Sequence, residues 1–184
     1  MAHKEQQYFL ELTSNKFPEH FTNVKVLDIG SLDINGNNRK HLKQPYFYTG
    51  LDLAKGPNVD VVSPAHLYEC GYQFDLIMSG ECFEHDIFYS QSLKNIVKLL
   101  KSGGLFVFTC ASTNRPEHGT TKTSPQNAPF LEEYGEEWCN YYKNLTEDDI
   151  REVLNIEETF SDFYFQESFS GYIGNDLYFW GIKK

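Results

Sequence analysis

Val24-Lys25-Val26-Leu27-Asp28-Ile29-Gly30 is a short apolar run that ends in an acid and a glycine. A second run, Tyr48-Thr49-Gly50-Leu51-Asp52, also stops on a carboxylate. It lies about 20 residues beyond the first glycine turn, the spacing at which an α/β fold grips a ribose. The pair predicts a nucleotide-like cofactor.

Outward from that pair, strand-like runs recur at Val59 to Val62, Phe74 to Met78 and Leu105 to Cys110, most of them apolar throughout. Strands buried on both faces read this way, which predicts a parallel sheet with helices on each side. Between the last two runs, Leu93, Ile96, Val97, Leu99 and Leu100 form a helical stripe. It is read as closing at Lys101-Ser102-Gly103-Gly104, a cationic last turn followed by glycine, which makes a βαβ crossover. Ahead of the first strand, Tyr8, Phe9, Leu12 and Phe17 recur at near-helical spacing before Pro18, so residues 1–20 are expected to form an amphipathic helix covering the sheet. Leu145-Thr146-Glu147-Asp148-Asp149-Ile150 carries a threonine N-cap with an acid three residues on, a capping box opening a helix to about Leu154. Two aromatic-rich runs, Phe160 to Phe169 and Leu177 to Ile182, are expected to pair antiparallel and close the sheet. The one long irregular stretch, residues 111–143, is read as a lid or binding loop.

The chain has 184 residues, 40% of them hydrophobic, with fifteen Phe and twelve Tyr, enough for one core and one domain spanning 1–184. A formal charge of −10 repels phosphate backbones, so nucleic acid is not expected as the main partner. The polar start Met1-Ala2-His3-Lys4-Glu5 has no apolar core behind it, and no window approaches the roughly 18 uncharged residues of a membrane span. A soluble, cytoplasmic protein without membrane contact, monomeric or homodimeric, is expected. Cys70, Cys82, Cys110 and Cys139 are far apart with no C-x-x-C pair, which predicts reduced thiols and neither a zinc knuckle nor a disulfide framework.

In order and spacing, Val26-Leu27-Asp28-Ile29-Gly30, Gly50-Leu51-Asp52, Phe74 to His85 and Leu100-Lys101-Ser102-Gly103-Gly104-Leu105 resemble the successive motifs of class I S-adenosylmethionine-dependent methyltransferases, most closely the type 11 branch. The resemblance spans nearly the whole chain. It implies a Rossmann-like three-layer α/β sandwich with a seven-stranded, mostly parallel sheet and an antiparallel C-terminal strand, and S-adenosylmethionine as cofactor.

Each motif has a physical counterpart. Gly30 lets the backbone approach a ligand closely where the amides of a following helix would face it. By resemblance this turn holds the methionine end, with Asp28 orienting it and meeting the cofactor's ammonium. Asp52 offers a bidentate acceptor to two vicinal ribose hydroxyls, with Leu53 beside it. The turn departs from the family's glycine-rich loop, since Gly30-Ser31-Leu32-Asp33-Ile34-Asn35-Gly36 has no second glycine two residues on. Ser31, Asp33 and Asn35 are therefore expected to contribute side-chain contacts. Arg39 reads equally as a partner of the cofactor's carboxylate and as a surface cation on the next helix. The adenine pocket falls at Ser63-Pro64-Ala65-His66, where Ser63 replaces the usual acid and Ala65 contributes through its backbone. Ser79 and Glu81, at the end of the fourth strand, are expected to line the cavity beside the transferable methyl.

Methyl transfer from a sulfonium is an in-line displacement that needs alignment and exclusion of water, and an oxygen or protonated-nitrogen acceptor needs a base as well. His118, Glu117, His85 and Glu81 are the candidates. Glu81 and His85, at i and i+4, could ligate a metal, but no third ligand is spaced near them and none is expected. Arg115, His118 and Lys122 suit an anionic or sugar-like acceptor. Phe130, Tyr134, Trp138, Tyr141 and Tyr142 read either as an aromatic wall over that acceptor or as packing of the lid. A small-molecule or glycan methyltransferase is the leading expectation, with a catalytically inactive cofactor-binding protein as the alternative. A dinucleotide oxidoreductase ranks below both, because G-x-G-x-x-G is absent after the first strand.

Overall fold

A computed structural model of the chain describes residues 4–34, 36–169 and 174–184. Seven strands, β1 (Thr22–Ile29), β2 (Lys43–Asp52), β3 (Val61–Val62), β4 (Phe74–Gly80), β5 (Leu100–Ala111), β6 (Phe160–Phe169) and β7 (Asn175–Lys183), form one sheet in the order β3-β2-β1-β4-β5-β7-β6. β1 to β5 pair parallel, and β7 enters antiparallel between β5 and β6. The expected Rossmann-like architecture, with its antiparallel C-terminal strand, is the one observed.

Alternation along the apolar strands sends neighbouring residues to opposite faces, so each face carries its own core. Leu27, Ile77, Phe106, Phe108 and Phe179 pack with Leu93 and Ile96 of helix α2 (Tyr89–Leu99) and with Ile150 of α4 (Glu147–Val153). On the other side Val26, Leu76, Val107 and Trp180 pack with Phe9 and Leu10 of α1 (Lys4–Lys16). Both sides of the strands are covered, which is why their sequences read as unbroken apolar runs. The register sets Asp28 on β1 opposite Gly50 on β2 and Met78 on β4, aligning the carboxyl ends of all three along one edge.

Four expectations are corrected. The first helix ends at Lys16, and Pro18–Phe21 is a separate 3-10 turn, because proline limits the helix before it. Among the described residues of 30–42 there is no α-helix, only the 3-10 turn Asn38–His41, in place of the helix whose amides were expected to face a ligand at Gly30. Lys101-Ser102-Gly103-Gly104 does not terminate α2. Leu100 is already extended, and the four residues bulge within β5 where the register jumps from Phe74↔Leu100 to Leu76↔Leu105. Lys101 there pairs with Asp75 at 2.5 Å. Finally, residues 111–143 are not irregular throughout: they contain the 3-10 turns Pro125–Asn127 and Leu131–Tyr134 and the one-turn helix α3 (Glu136–Cys139). The capping box is present, with Thr146 and Asp149 bonded reciprocally at the start of α4, and a further single turn, α5 (Ile156–Thr159), leads into β6. All four cysteines are free. Among the described residues, no helix is long and apolar enough to cross a membrane.

Candidate active site

The crevice outside the carboxyl ends of β1, β2 and β4 is where the strand order reverses, the place where open α/β sheets bind ligands. It holds a cavity of about 1040 Å³, counting its open mouth.

Gly30 makes the turn at its floor. Its φ is +71°, and a Cβ there would fall 2.7 Å from Cβ of Cys82 and 2.8 Å from its sulfur, so no larger residue fits. The Gly30 and Ser31 amides both donate to the Leu51 carbonyl, at 3.0 and 3.1 Å, which folds the turn across β2. Asp52 then ties it down. One carboxylate oxygen accepts from the Leu32 amide at 2.9 Å and the other from the Leu53 amide at 2.8 Å. Burial raises the Asp52 pKa, and these two amides pull it back.

Asp28, Gly30, Ser31, Asp52, Leu53, Ala65 and Glu81 all line the cavity, as do Leu32 and Ser63. The Ser31 hydroxyl is buried there with no hydrogen-bond partner among the described residues. Asp28 lies deeper, accepting from Tyr48 Oη at 2.6 Å and Asn38 Nδ2 at 3.0 Å. Burial pushes its pKa up to about 6 against those two bonds. Each oxygen takes one of these bonds, so Asp28 anchors the turn from a position that also lines the cavity.

Other expected residues stand elsewhere. Arg39 is not among the lining residues; it lies over the Tyr48 ring at 3.8 Å and donates to Asn58 at 2.5 Å. Asp33 braces its own loop, accepting from the Gly36 amide and the Asn37 side chain, both at 2.7 Å. Ser79 donates to the Ile29 carbonyl at 3.0 Å, linking β4 to β1 beneath the cavity. Asn35 lies outside the described residues.

The far end is built by Glu81, which leaves β4 with φ +53°. Such a backbone is costly for a residue with a side chain and concentrates at functional sites. Its carboxylate is buried, 3.5 Å from Arg115, which also reaches Asp176 on β7 at 3.4 Å. Burial and the neighbouring Glu84 hold the Glu81 pKa well above its ordinary value. Arg115, expected to face an acceptor, bridges two buried acids, Glu81 just past the end of β4 and Asp176 on β7. His85 also lines the cavity, and burial with His118 nearby pushes its pKa down to about 3. His118 stands behind it, the two rings perpendicular at 5.0 Å.

The insert divides between the two ends. Asn127 to Leu131 and Trp138 cover the Asp52 side, and Tyr134 Oη donates to the Leu53 carbonyl at 2.9 Å. Tyr141 and Tyr142 do not line the cavity, and Tyr142 packs against His85 and His118. Sequence reasoning missed Cys82 under Gly30, Asn38 on Asp28 and the Leu32 amide on Asp52. All three contacts cross the fold, and no local pattern announces them.

By sequence, the chain matches no protein-family model and no curated protein. By structure it is similar to the Burkholderia thailandensis 1,6-didemethyltoxoflavin-N1-methyltransferase, solved with 1,6-didemethyltoxoflavin and S-adenosylhomocysteine, at 19% identity and TM-score 0.65, covering 96% of this chain and 78% of that one. An S-adenosylmethionine-dependent methyltransferase from Clostridium acetobutylicum aligns at 13% identity and TM-score 0.60, over 97% and 92% of the two chains. The N-methyltransferase NodS from Bradyrhizobium japonicum, in complex with S-adenosylhomocysteine, aligns at 14% and 0.59, over 98% and 88%. The chain therefore has the class I methyltransferase fold.

Proposed function

We propose that the cavity binds S-adenosylmethionine and that the protein transfers its methyl group to a small-molecule or glycan acceptor, as a relative of the type 11 branch. The observation that carries the reading is Asp52. It sits on the cavity wall at the end of β2 with one backbone amide on each oxygen, and each oxygen keeps capacity to accept from a vicinal diol. The methionine end then lies against Gly30, Ser31 and Leu32, and adenine between Leu53, Ser63, Ala65 and the Phe130 flap. The methyl points toward Glu81. S-adenosylhomocysteine bound in structurally similar proteins supports the same assignment.

The chain's part in the reaction is alignment and exclusion of water. Asp52 and the Gly30 turn fix the nucleoside, while Phe130 and Trp138 cover it. We place the acceptor at the Glu81 end, where Glu81 and His85 line the cavity and His118 stands behind them.

Calorimetry with S-adenosylmethionine, S-adenosylhomocysteine and NAD tests the reading. Both sulfur nucleotides are expected to bind and NAD to fail; failure of both sulfur nucleotides overturns it. Asp52→Ala should weaken binding by about 1.5–3 kcal/mol, the range for hydrogen bonds to a charged group. A screen of acceptors with labelled cofactor separates an enzyme from an inactive binder.

A further inference from the structure

The sheet order leaves β2 open along most of its outer edge. β3 pairs only with Leu51 and Asp52, and among the described residues no strand runs beside 43–49 on that side. Gly50 turns both main-chain groups outward: its amide donates to the Asp60 carboxylate and its carbonyl accepts from the Asp60 amide, each at 2.8 Å. These groups alternate in direction along a strand, so the amides and carbonyls of Tyr48 and Tyr46 point outward as well. They make a short ladder with no strand against it, the kind of edge that recruits another chain.

The side chain between them is as open as the backbone. Tyr46 and Tyr48 pack toward α1, while alternation puts Phe47 on the other face with Leu51. Leu51 is buried there, but Phe47 is 56% exposed. Its ring meets the exposed Tyr72 edge-on at 6.3 Å, and Lys25 Nζ lies over the Tyr72 ring at 4.8 Å. Exposed aromatics grouped beside an open edge mark a surface that meets a partner.

We propose that this edge pairs with the same edge of a second copy of the chain, β2 against β2, antiparallel about a two-fold axis at Phe47. Matching the outward residues of the two copies sets the register. Tyr46 lies opposite Tyr48 of the second copy and Tyr48 opposite its Tyr46, so the two Phe47 face each other between hydrogen-bonded pairs, where side chains come closest. Charge selects the occupant. With a formal charge of −10, two copies repel as wholes, so they join where opposite charges meet. Antiparallel pairing carries the exposed Lys43, at the start of one edge, to Asp60 at the end of the other, and does so twice. The Asp60 side chain is 47% exposed and holds Arg39 at 3.6 Å. The register shifts between Lys43 and Tyr46, a bulge that bends β2 there, so the ladder ends at Tyr46 and Lys43 is not held in it. The pairing rests on the edge alone and holds whether or not the cavity takes S-adenosylmethionine.

Sedimentation velocity of the full chain from about 1 to about 100 µM, the range of small interfaces, tests it together with hydrogen exchange at both ends of that range. The wild type is expected to pass from monomer to dimer, with the Tyr46 and Tyr48 amides exchanging about tenfold slower at the upper end. Phe47→Glu is expected to stay monomeric throughout, and Lys43→Glu to raise the dissociation constant by about tenfold or more, because it sets two acids together. Both positions are exposed, and thermal unfolding checks that each variant folds; if Phe47→Glu does not, Lys43→Glu decides. The proposal is overturned by a wild type that is monomeric at about 100 µM, which would leave the edge to a different partner. A dimer undiminished in the folded variants overturns it too, as do Tyr46 and Tyr48 amides indifferent to concentration, which would place the dimer contact elsewhere.

Discussion

Asp28 is a buried carboxylate that forms no ion pair among the described residues. It is 1% exposed, and its partners are a phenol and an amide. Its pKa rises from 3.8 to about 6, chiefly through burial, so the folded state binds the proton more tightly than the unfolded chain does. The stabilisation from that proton is therefore full below pH 3.8 and is lost as the pH rises through about 6. A shift of about two units corresponds to about 3 kcal/mol. Asp28→Asn keeps the shape and an acceptor but does not titrate. Compared by urea denaturation, wild type should gain on Asp28→Asn by up to about 3 kcal/mol between pH 7 and 4. A difference that stays flat with pH would show that Asp28 titrates normally. Asp28, Gly30 and Asp52 were legible because the end of an apolar run fixes where a residue stands. Arg115 was not, because what buries it, Glu81 and Asp176, comes from β4 and β7, 34 and 61 residues away by its number and theirs.

Among the elements, α4 is the clearest case of local sequence fixing local structure. Thr146 accepts from the Asp149 amide, and Asp149 returns the bond to the Thr146 amide at 2.9 Å. Lys143 adds a 2.6 Å ion pair to the same carboxylate. Beside the cap, the Leu145 amide donates to the Ala111 carbonyl and that of Lys143 to Glu84, both across the base of the insert. Thr146→Ala should cost about 1 kcal/mol in denaturant unfolding. Its effect on the S-adenosylhomocysteine dissociation constant should be negligible, because no residue of α4 lines the cavity; a severalfold change would mean that the insert depends on this cap for its position. The strands were legible for the same reason as α4, since burial on both faces leaves a signal in every residue. The crossovers were not. Residues 30–42 and 53–60 carry no 3.6-residue apolar stripe, and the described residues among them form no α-helix, whereas the family pattern had suggested a helix after Gly30. Lys101 to Gly104 read as a helix end, but a glycine with φ +75° serves a strand bulge equally well.

At the scale of the whole molecule, the insert is what distinguishes this chain from a bare sheet with two helical layers. Its length was visible in the sequence, and its division of labour was not, because that depends on where each part lands on the sheet edge. Residues 127–138 land on the Asp52 side, where Phe130 packs near Gly56 and Leu32 and Tyr134 bonds the Leu53 carbonyl. Residues 115–118 land on the Glu81 side, held by Arg115 between two acids. Loops are drawn from the least stable part of a structure, and a ligand that packs under one lowers its opening. Removing 111–143 would therefore take the cover of the Asp52 side with it, and cofactor binding is expected to weaken along with turnover. Hydrogen exchange with and without saturating S-adenosylhomocysteine distinguishes the two ends. Amides of 127–138 should slow by about tenfold or more when the nucleotide binds at about 100 times its dissociation constant, where mass action supplies about 2.7 kcal/mol. Amides of 115–118 should change much less, because their anchors are Glu81 and Asp176 and not the nucleoside. Equal protection at both ends would mean that the insert closes as one body over cofactor and acceptor together, and no protection at 127–138 would remove the flap from the cofactor site.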